Sequence, residues 1–188
     1  MLLSILTPAL PSRMDRLAQL MAEVASQIGD QPVEHLVLLD NKRRTVGEKR
    51  DALLRSARGR YVSYVDDDDW ITPDYVRELL AAMGDDPDVI TFRQHCTVNG
   101  AEGEVEFRLG HPNEAFCPAG TARRNAWHVC AWRRDLAILS HFPKSNYGED
   151  WAFASPLCAL PGLREGHVPR VLHFYTYDAR ISEAPPPG

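Results

Sequence analysis

The sequence predicts an α/β fold: a single domain with a mostly parallel central sheet flanked by helices, and a small antiparallel part in the C-terminal half. Three observations predict it. Apolar and β-branched runs at 2–6, 33–39 and 61–65 alternate with segments of helical periodicity. Each run ends in polar or acidic residues: Thr7, Asp40 and Asp66. Beyond Asn99-Gly100, a strong hairpin signal, the alternation gives way to short strands and turn-rich chain.

Each element follows from local pattern. The run 2–6 is a buried strand that Thr7 and Pro8 end. Ser12 is placed to cap the next helix, with Asp15 completing an approximate capping box. Met14, Leu17, Leu20, Met21, Val24 and Ile28 recur at helical spacing and give that helix one face for a sheet, and Gly29 closes it. The run 33–39 is the second strand. Strand, helix and strand make a βαβ unit, with parallel strands and a right-handed crossover. Thr45 and Glu48 form a capping box, so a helix begins near Val46, with Val46, Leu53, Leu54 and Ala57 on its apolar face. Tyr61, Val62, Tyr64 and Val65 make the third strand. Thr72 at N-cap and Pro73 at N1 start a helix over 72–83. It buries Tyr75, Val76, Leu79, Leu80 and Met83, and Gly84 ends it. Strands follow at 89–92 and 105–109, then a loop at 110–125, a strand at 127–132 and a short helix at 133–139. Glu149 and Asp150 stand at a further helix start, where the dipole favours carboxylates. Pro156 should kink or end that helix. The run 168–177 is a last strand and carries His173.

Composition narrows the function. At 188 residues the chain suffices for one domain with a full core. Its net charge of −5 argues against a surface built mainly to grip nucleic acid, while leaving room for a local basic groove. No apolar run approaches the length of a bilayer span. No basic region precedes the N-terminal apolar run, which reads as a strand and not a signal peptide. Cys96, Cys117, Cys130 and Cys158 form no CxxC pair, which speaks for reduced thiols in a cytoplasmic protein and against a zinc site. Residues 181–188, ending in APPPG, read as a flexible tail.

The chemistry gathers at YVSYVDDDDW, residues 61–70. Asp66, Asp67, Asp68 and Asp69 sit where a strand ends, and four such carboxylates repel one another. A hard divalent cation would neutralise them. An acidic solvated turn before the next helix is the other reading. In open α/β sheets ligands bind beyond the carboxyl ends of the strands, an edge that Thr7, Pro8 and Asp40 share with the cluster. Arg50 falls on the apolar face of its helix and so needs an anionic partner. A phosphate near the helix N-terminus would serve, with Lys49 beside it. One of the aspartates would serve as well. Trp127 and His128 directly follow a loop, and core packing is the alternative for the tryptophan. For Glu149 and Asp150 the alternative is helix capping. For His173 it is a satisfied place in the core.

Taken in order, these features resemble a glycosyltransferase of the GT-A fold, a Rossmann-like α/β domain. Within it they look most like family two, the inverting nucleotide-sugar transferases, and especially the small single-domain types of phages and bacteria. The resemblance rests on Asp40 after the βαβ start, GEKR…RGRYVSYVDDDDW, the WH pair, YGEDW and a late strand histidine. It runs over nearly the whole chain, with 1–98 as a nucleotide-binding half and 99–180 as an acceptor and catalytic half.

The resemblance implies roles. Asp40 would bind the base or ribose, in a pocket lined by Thr7 and Pro8. Asp66 and Asp68 match the DxD motif, with Asp67 and Asp69 as stand-ins because four aspartates blur the register. Asp68 would hold Mn²⁺ or Mg²⁺ on the diphosphate, Asp66 would contact ribose or metal, and His173 would be a further metal ligand. Lys49 and Arg50 would sit near the diphosphate. Asp150, paired with Glu149, matches the general base. Trp127, His128 and Trp151 would line the sugar or acceptor site. The implied donor is a nucleotide sugar, with UDP as the default. The acceptor stays open among small molecule, glycan, protein and modified DNA base, with no membrane insertion.

This chemistry is self-consistent. Negative charge that builds on a leaving diphosphate needs stabilising, and the acceptor hydroxyl needs a base within hydrogen-bond reach. Two rivals remain: a nucleotidyltransferase of similar layout, and a non-catalytic nucleotide-sugar-binding module. The first usually opens with a glycine-rich basic loop, which TPALPSRMDR is not. The second has no reason to keep Asp66, Asp68 and Asp150 together.

Overall fold

The computed structural model describes residues 1–178; the tail expected at 181–188 lies outside them. Strand β1 (Leu3–Ala9) is buried at every residue, which its place explains. Strands β2 (Val33–Leu39) and β3 (Tyr61–Tyr64) pair with it in parallel, one on each side. Helix α1 (Met14–Ile28) links β1 to β2 and buries Leu17, Leu20 and Val24. Helix α2 (Val46–Ser56) links β2 to β3. Its capping box forms as expected: the Glu48 amide donates to Thr45 Oγ1 at 3.2 Å, and the Thr45 amide donates to Glu48 Oε2 at 3.0 Å. The pairing register sets Ala9 opposite Leu39 and Leu6 opposite Tyr64, so all three strands end at one edge.

The second half is mixed, as expected. It comprises β4 (Trp70–Ile71), α3 (Tyr75–Ala82), β5 (Val89–Val98), β6 (Ala101–Phe107), β7 (Thr121–Arg124), β8 (Ala131–Arg133), α4 (Arg134–Ala137), α5 (Glu149–Cys158) and β9 (Glu165–Tyr177). Strand β8 lies antiparallel between β3 and β5, so β5 runs in the direction of β3. Strand β6 makes the expected hairpin with β5, and β9 pairs in parallel along β5. The ends of β5 and β9 therefore reach the edge where β1 and β3 end. Trp132, Tyr61, Tyr64, Tyr75, Phe92, Phe107 and Phe153 are the largest fully buried side chains and fill the core. Among the described residues, no helix is long and apolar enough to cross a membrane.

Several local expectations are corrected. Ser12 does not cap α1: it lies in a 3₁₀ turn (Pro11–Arg13), and Arg13 takes the cap position without a side-chain bond. Thr72 does not cap α3, which begins at Tyr75. The Thr72 amide instead donates to the Leu172 carbonyl at 3.0 Å, and its hydroxyl donates to Asp74 at 2.7 Å. The segment 110–125 contains β7, which pairs with β6. Of 127–132 only the end is strand, because the Cys130 amide donates to the Trp127 carbonyl and closes a turn. Helix α5 runs past Pro156 to Cys158. Strand β4, which no pattern announced, pairs with Phe174 and His173 of β9.

Candidate active site

The sheet edge opens into a cleft of about 840 Å³, within the range of small-molecule sites. The first strand ends supply Pro8 and the aspartates, α2 supplies Lys49, and β5 and β9 supply Gln94 and Thr176. The wall opposite carries Trp127, His128, Glu149, Asp150 and Trp151. The structure thus gathers most of the expected residues. Thr7 is an exception: it is buried, its hydroxyl donates to the Val65 carbonyl at 2.8 Å, and His35 Nε2 lies 2.9 Å away. It ties β1 to its neighbours and does not line the cleft. Asp40 lines a smaller adjoining pocket that shares Arg43 and Arg44 with the cleft. Its Oδ1 accepts the Arg43 and Arg44 amides at 2.6 and 3.1 Å. Burial opposes ionisation of Asp40, but these amides outweigh it and hold its carboxyl below the usual range.

The four aspartates, alike in sequence, part company in space. Asp67 turns back to the chain behind it: Oδ2 accepts the Leu10 amide at 2.7 Å and Oδ1 accepts from Arg13 at 2.9 Å. Asp66 faces Arg50 through Oδ2 at 2.5 Å, while its Oδ1 is buried with no hydrogen-bond partner. Asp68 meets Arg13 at 3.0 Å. Burial first, then Asp66, pushes its carboxyl up to about 6. Asp69 is buried, and desolvation, reinforced by Asp68 and Asp66, holds it well above the ordinary range.

Arg50 is inward-facing, as its spacing requires, and its partners are carboxylates. Nη2 meets Asp66 and Nη1 meets Glu149 Oε1, each at 2.5 Å. The pair of contacts joins the end of β3 to the start of α5. Burial raises the Glu149 pKa, with Arg50 opposing. Lys49 is buried beside it, donates to the Ala9 carbonyl at 3.2 Å, and has its pKa lowered by burial. Asp150 lies in the first turn of α5 and is only partly buried. Its Oδ2 accepts the Trp127 indole N–H at 3.1 Å, and its Oδ1 accepts the Trp151 amide at 2.7 Å. The Trp151 ring itself is 55% exposed at the cleft. His128 is buried, and burial, Arg50 and His173 hold it well below its ordinary pKa.

His173 is fully buried, and desolvation lowers its pKa to about 3. Gln94 accepts the Cys96 thiol on Oε1, which turns its amide nitrogen to His173 Nδ1 at 2.9 Å. An amide nitrogen donates, so Nδ1 accepts and Nε2 carries the proton. Nε2 lies 3.5 Å from Asp69 Oδ2. Nε2 is buried and has no hydrogen-bond partner among the described residues. Pattern reading missed Arg13, Gln94 and Tyr147, all of which line the cleft. For Arg13 there was a signal, an arginine just past a strand end, and for Tyr147 its place in YGEDW; Gln94 had none.

The mixed sheet, with a cleft beyond its strand ends, defines the class: an α/β protein of the GT-A glycosyltransferase fold. The family model "Glycosyl transferase family 2" matches residues 11–138, and the chain belongs to that family. The crystal structure of S. aureus TarS 1-349 in complex with UDP-GlcNAc superposes with a TM-score of 0.65 at 16% identity, covering 98% of this chain and 62% of that one. The same fragment in complex with UDP gives 0.63 at 16% identity, over 94% and 60%. At such identity the likeness is one of fold. EpsH of Bacillus subtilis (strain 168), provisionally named a glycosyltransferase, is 30% identical over an alignment 64 residues long that covers 30% of this chain and 19% of EpsH. The chain thus spans about three fifths of the TarS fragments and a smaller part of EpsH.

Proposed function

We propose that this protein transfers a sugar from a nucleotide-sugar donor to an acceptor hydroxyl with inversion, Asp150 acting as general base. The observation that carries the reading is the Asp66–Arg50–Glu149 bridge, which brings the acidic strand end and Asp150 to one cleft. The donor is a UDP-sugar. The family and the fold shared with a UDP-GlcNAc-bound neighbour support that choice. In this reading residues 1–98 bind the nucleotide, with Asp40, Pro8 and Lys49 around it, and 99–180 supply acceptor and base. Trp127, His128 and Trp151 border the sugar. Asp67 serves the fold.

The donor set suits a divalent cation, Mn²⁺ or Mg²⁺. Asp66 Oδ1 is buried without a partner, and Asp68 is a crowded carboxylate with a raised pKa. Among the described residues no three acidic, histidine or cysteine side chains form a ready ligand group. A cation held by one or two carboxylates that takes its other oxygens from a diphosphate needs none. Asp68, with Asp66, would hold it, and when bound it would supply positive charge to the leaving diphosphate. Arg50 holds Asp66 and Glu149 in place, the wall of α5 presents Asp150, and the Asp150 carboxylate takes the acceptor proton as the hydroxyl attacks. The hydroxyl oxygen bonds to the anomeric carbon on the face opposite the leaving diphosphate, so this single displacement inverts the anomeric centre.

Asp150→Asn is the test. It keeps shape and removes the base, so donor affinity stays within about twofold while transfer falls by about 10²-fold or more. Turnover that survives this change refutes the assignment of the base.

A further inference from the structure

Trp127 was expected to border the sugar or acceptor or else to pack in the core, and the structure gives it a contact of another kind. We propose that Trp127 is a positioning residue: its indole N–H fixes the Asp150 carboxylate in the orientation from which it takes the acceptor proton. The proposal rests on the reading of Asp150 as the base.

Two donors hold the carboxylate, one on each oxygen: Trp127 Nε1 on Oδ2 at 3.1 Å and the Trp151 amide on Oδ1 at 2.7 Å. Together they oppose rotation about the Cβ–Cγ bond, and each oxygen keeps acceptor capacity for a substrate hydroxyl. Trp127 is itself anchored. Its amide donates to Cys130 Sγ at 3.4 Å. Its carbonyl accepts the Cys130 amide at 3.1 Å and the indole N–H of Trp132 at 2.9 Å. Trp132 is fully buried in the core. A rigid line therefore runs from the core to the base, which is what a precisely held site requires.

The chemistry of the donor matters. The two adjacent carboxylates of α5 receive different partners. Glu149 meets the Arg50 cation at 2.5 Å and is neutralised. Asp150 receives a neutral N–H, which orients the carboxylate without cancelling its charge. The other titratable groups that face it are His128, whose Nδ1 lies 4.0 Å from Oδ2, together with Glu149 and the Arg50 charge. His128 is held neutral by its burial, so it leaves the charge of Asp150 in place.

Two measurements test this. The first needs no substrate. The chain has four tryptophans, and in a ¹⁵N-labelled sample the Trp127 indole resonance is identified by its loss in Trp127→Phe. In Asp150→Ala the resonance moves upfield and the indole proton exchanges faster with solvent, because its acceptor is gone. A resonance and exchange rate unchanged in Asp150→Ala remove the hydrogen bond and the proposal with it. The second uses UDP-GlcNAc as donor and follows UDP release, with water or an added sugar as acceptor. Trp127→Phe lowers kcat about tenfold or more and leaves the donor KM within twofold. A raised KM with kcat unmoved makes Trp127 a lining residue only, and overturns the proposal. If no UDP release is detected from the native protein, the indole resonance and its exchange rate decide the matter alone. Asp150→Asn separates the two claims. If it still turns over, the base reading fails; if it is inactive while Trp127→Phe is fully active, only the positioning role fails.

Discussion

Arg50 shows most clearly what a single residue does here. Its guanidinium is almost fully buried between Asp66 and Glu149 and lies 5.9 Å over the Phe142 ring. Replacing it with Met leaves two carboxylates facing each other in a desolvated place. The expected loss is about 3–5 kcal/mol, read as a fall in the urea midpoint. Arg50→Lys keeps the charge but cannot fork to both partners, so it costs less stability yet still lowers kcat. Helical spacing alone revealed that Arg50 faces inward. Its partner was not legible, because phosphate and carboxylate answer the same need and Glu149 lies 99 residues away. The aspartates teach the same lesson. Four identical side chains carry no register, and only the path of the backbone turns Asp67 towards Leu10 and Arg13.

A second residue links fold to pH. Burial lowers the His35 pKa to about 4, against an unfolded value of about 6.5. The unfolded chain therefore binds more protons between these values. Stability from neutral His35 is full above pH 6.5 and is lost as pH falls towards 4. Urea midpoints taken from pH 7 to pH 4.5 are expected to drop, and His35→Gln should flatten that slope. An equal slope in both proteins would exclude His35 as the source.

Among elements, α2 is the one that sets the site. Its capping box makes Thr45→Ala cost about 1 kcal/mol, measurable by chemical denaturation. The next residue but one matters more. A Cβ on Gly47 would lie 1.9 Å from the Pro143 carbonyl oxygen, and the Gly47 amide donates to the Ser145 carbonyl at 3.0 Å. Gly47→Ala must push the 143–145 segment off α2, at a cost of about 1–3 kcal/mol. It should also disturb the Arg50–Glu149 contact, so activity should fall more than in Thr45→Ala. The start of α2, α1 and the first βαβ unit were legible because periodicity and caps are local signals. Strand β4 was not. It has two residues, and its pairing with β9 is fixed by partners about a hundred positions away. The start of α3 was misplaced for a related reason: the β9 backbone claims Thr72 before the helix can.

At the scale of the molecule, the strand ends explain why one cleft collects residues from every part of the chain. Strands β1, β3, β5 and β9 run the same way, so their carboxyl ends meet, and α5 closes the opposite wall. The parallel trio β2, β1 and β3 and its edge were legible from alternating apolar runs. The insertion of β8 between β3 and β5 was not, since nothing local in three residues names its neighbours. The central claim is that this edge binds a nucleotide sugar through a cation at Asp68. Calorimetric titration with a panel of nucleotide sugars, with and without Mn²⁺, tests it most directly. The account predicts saturable binding of a UDP-sugar that requires the metal and is lost in Asp68→Ala while the variant stays folded. Binding of no nucleotide sugar at any metal concentration, or equal binding by Asp68→Ala, would contradict it.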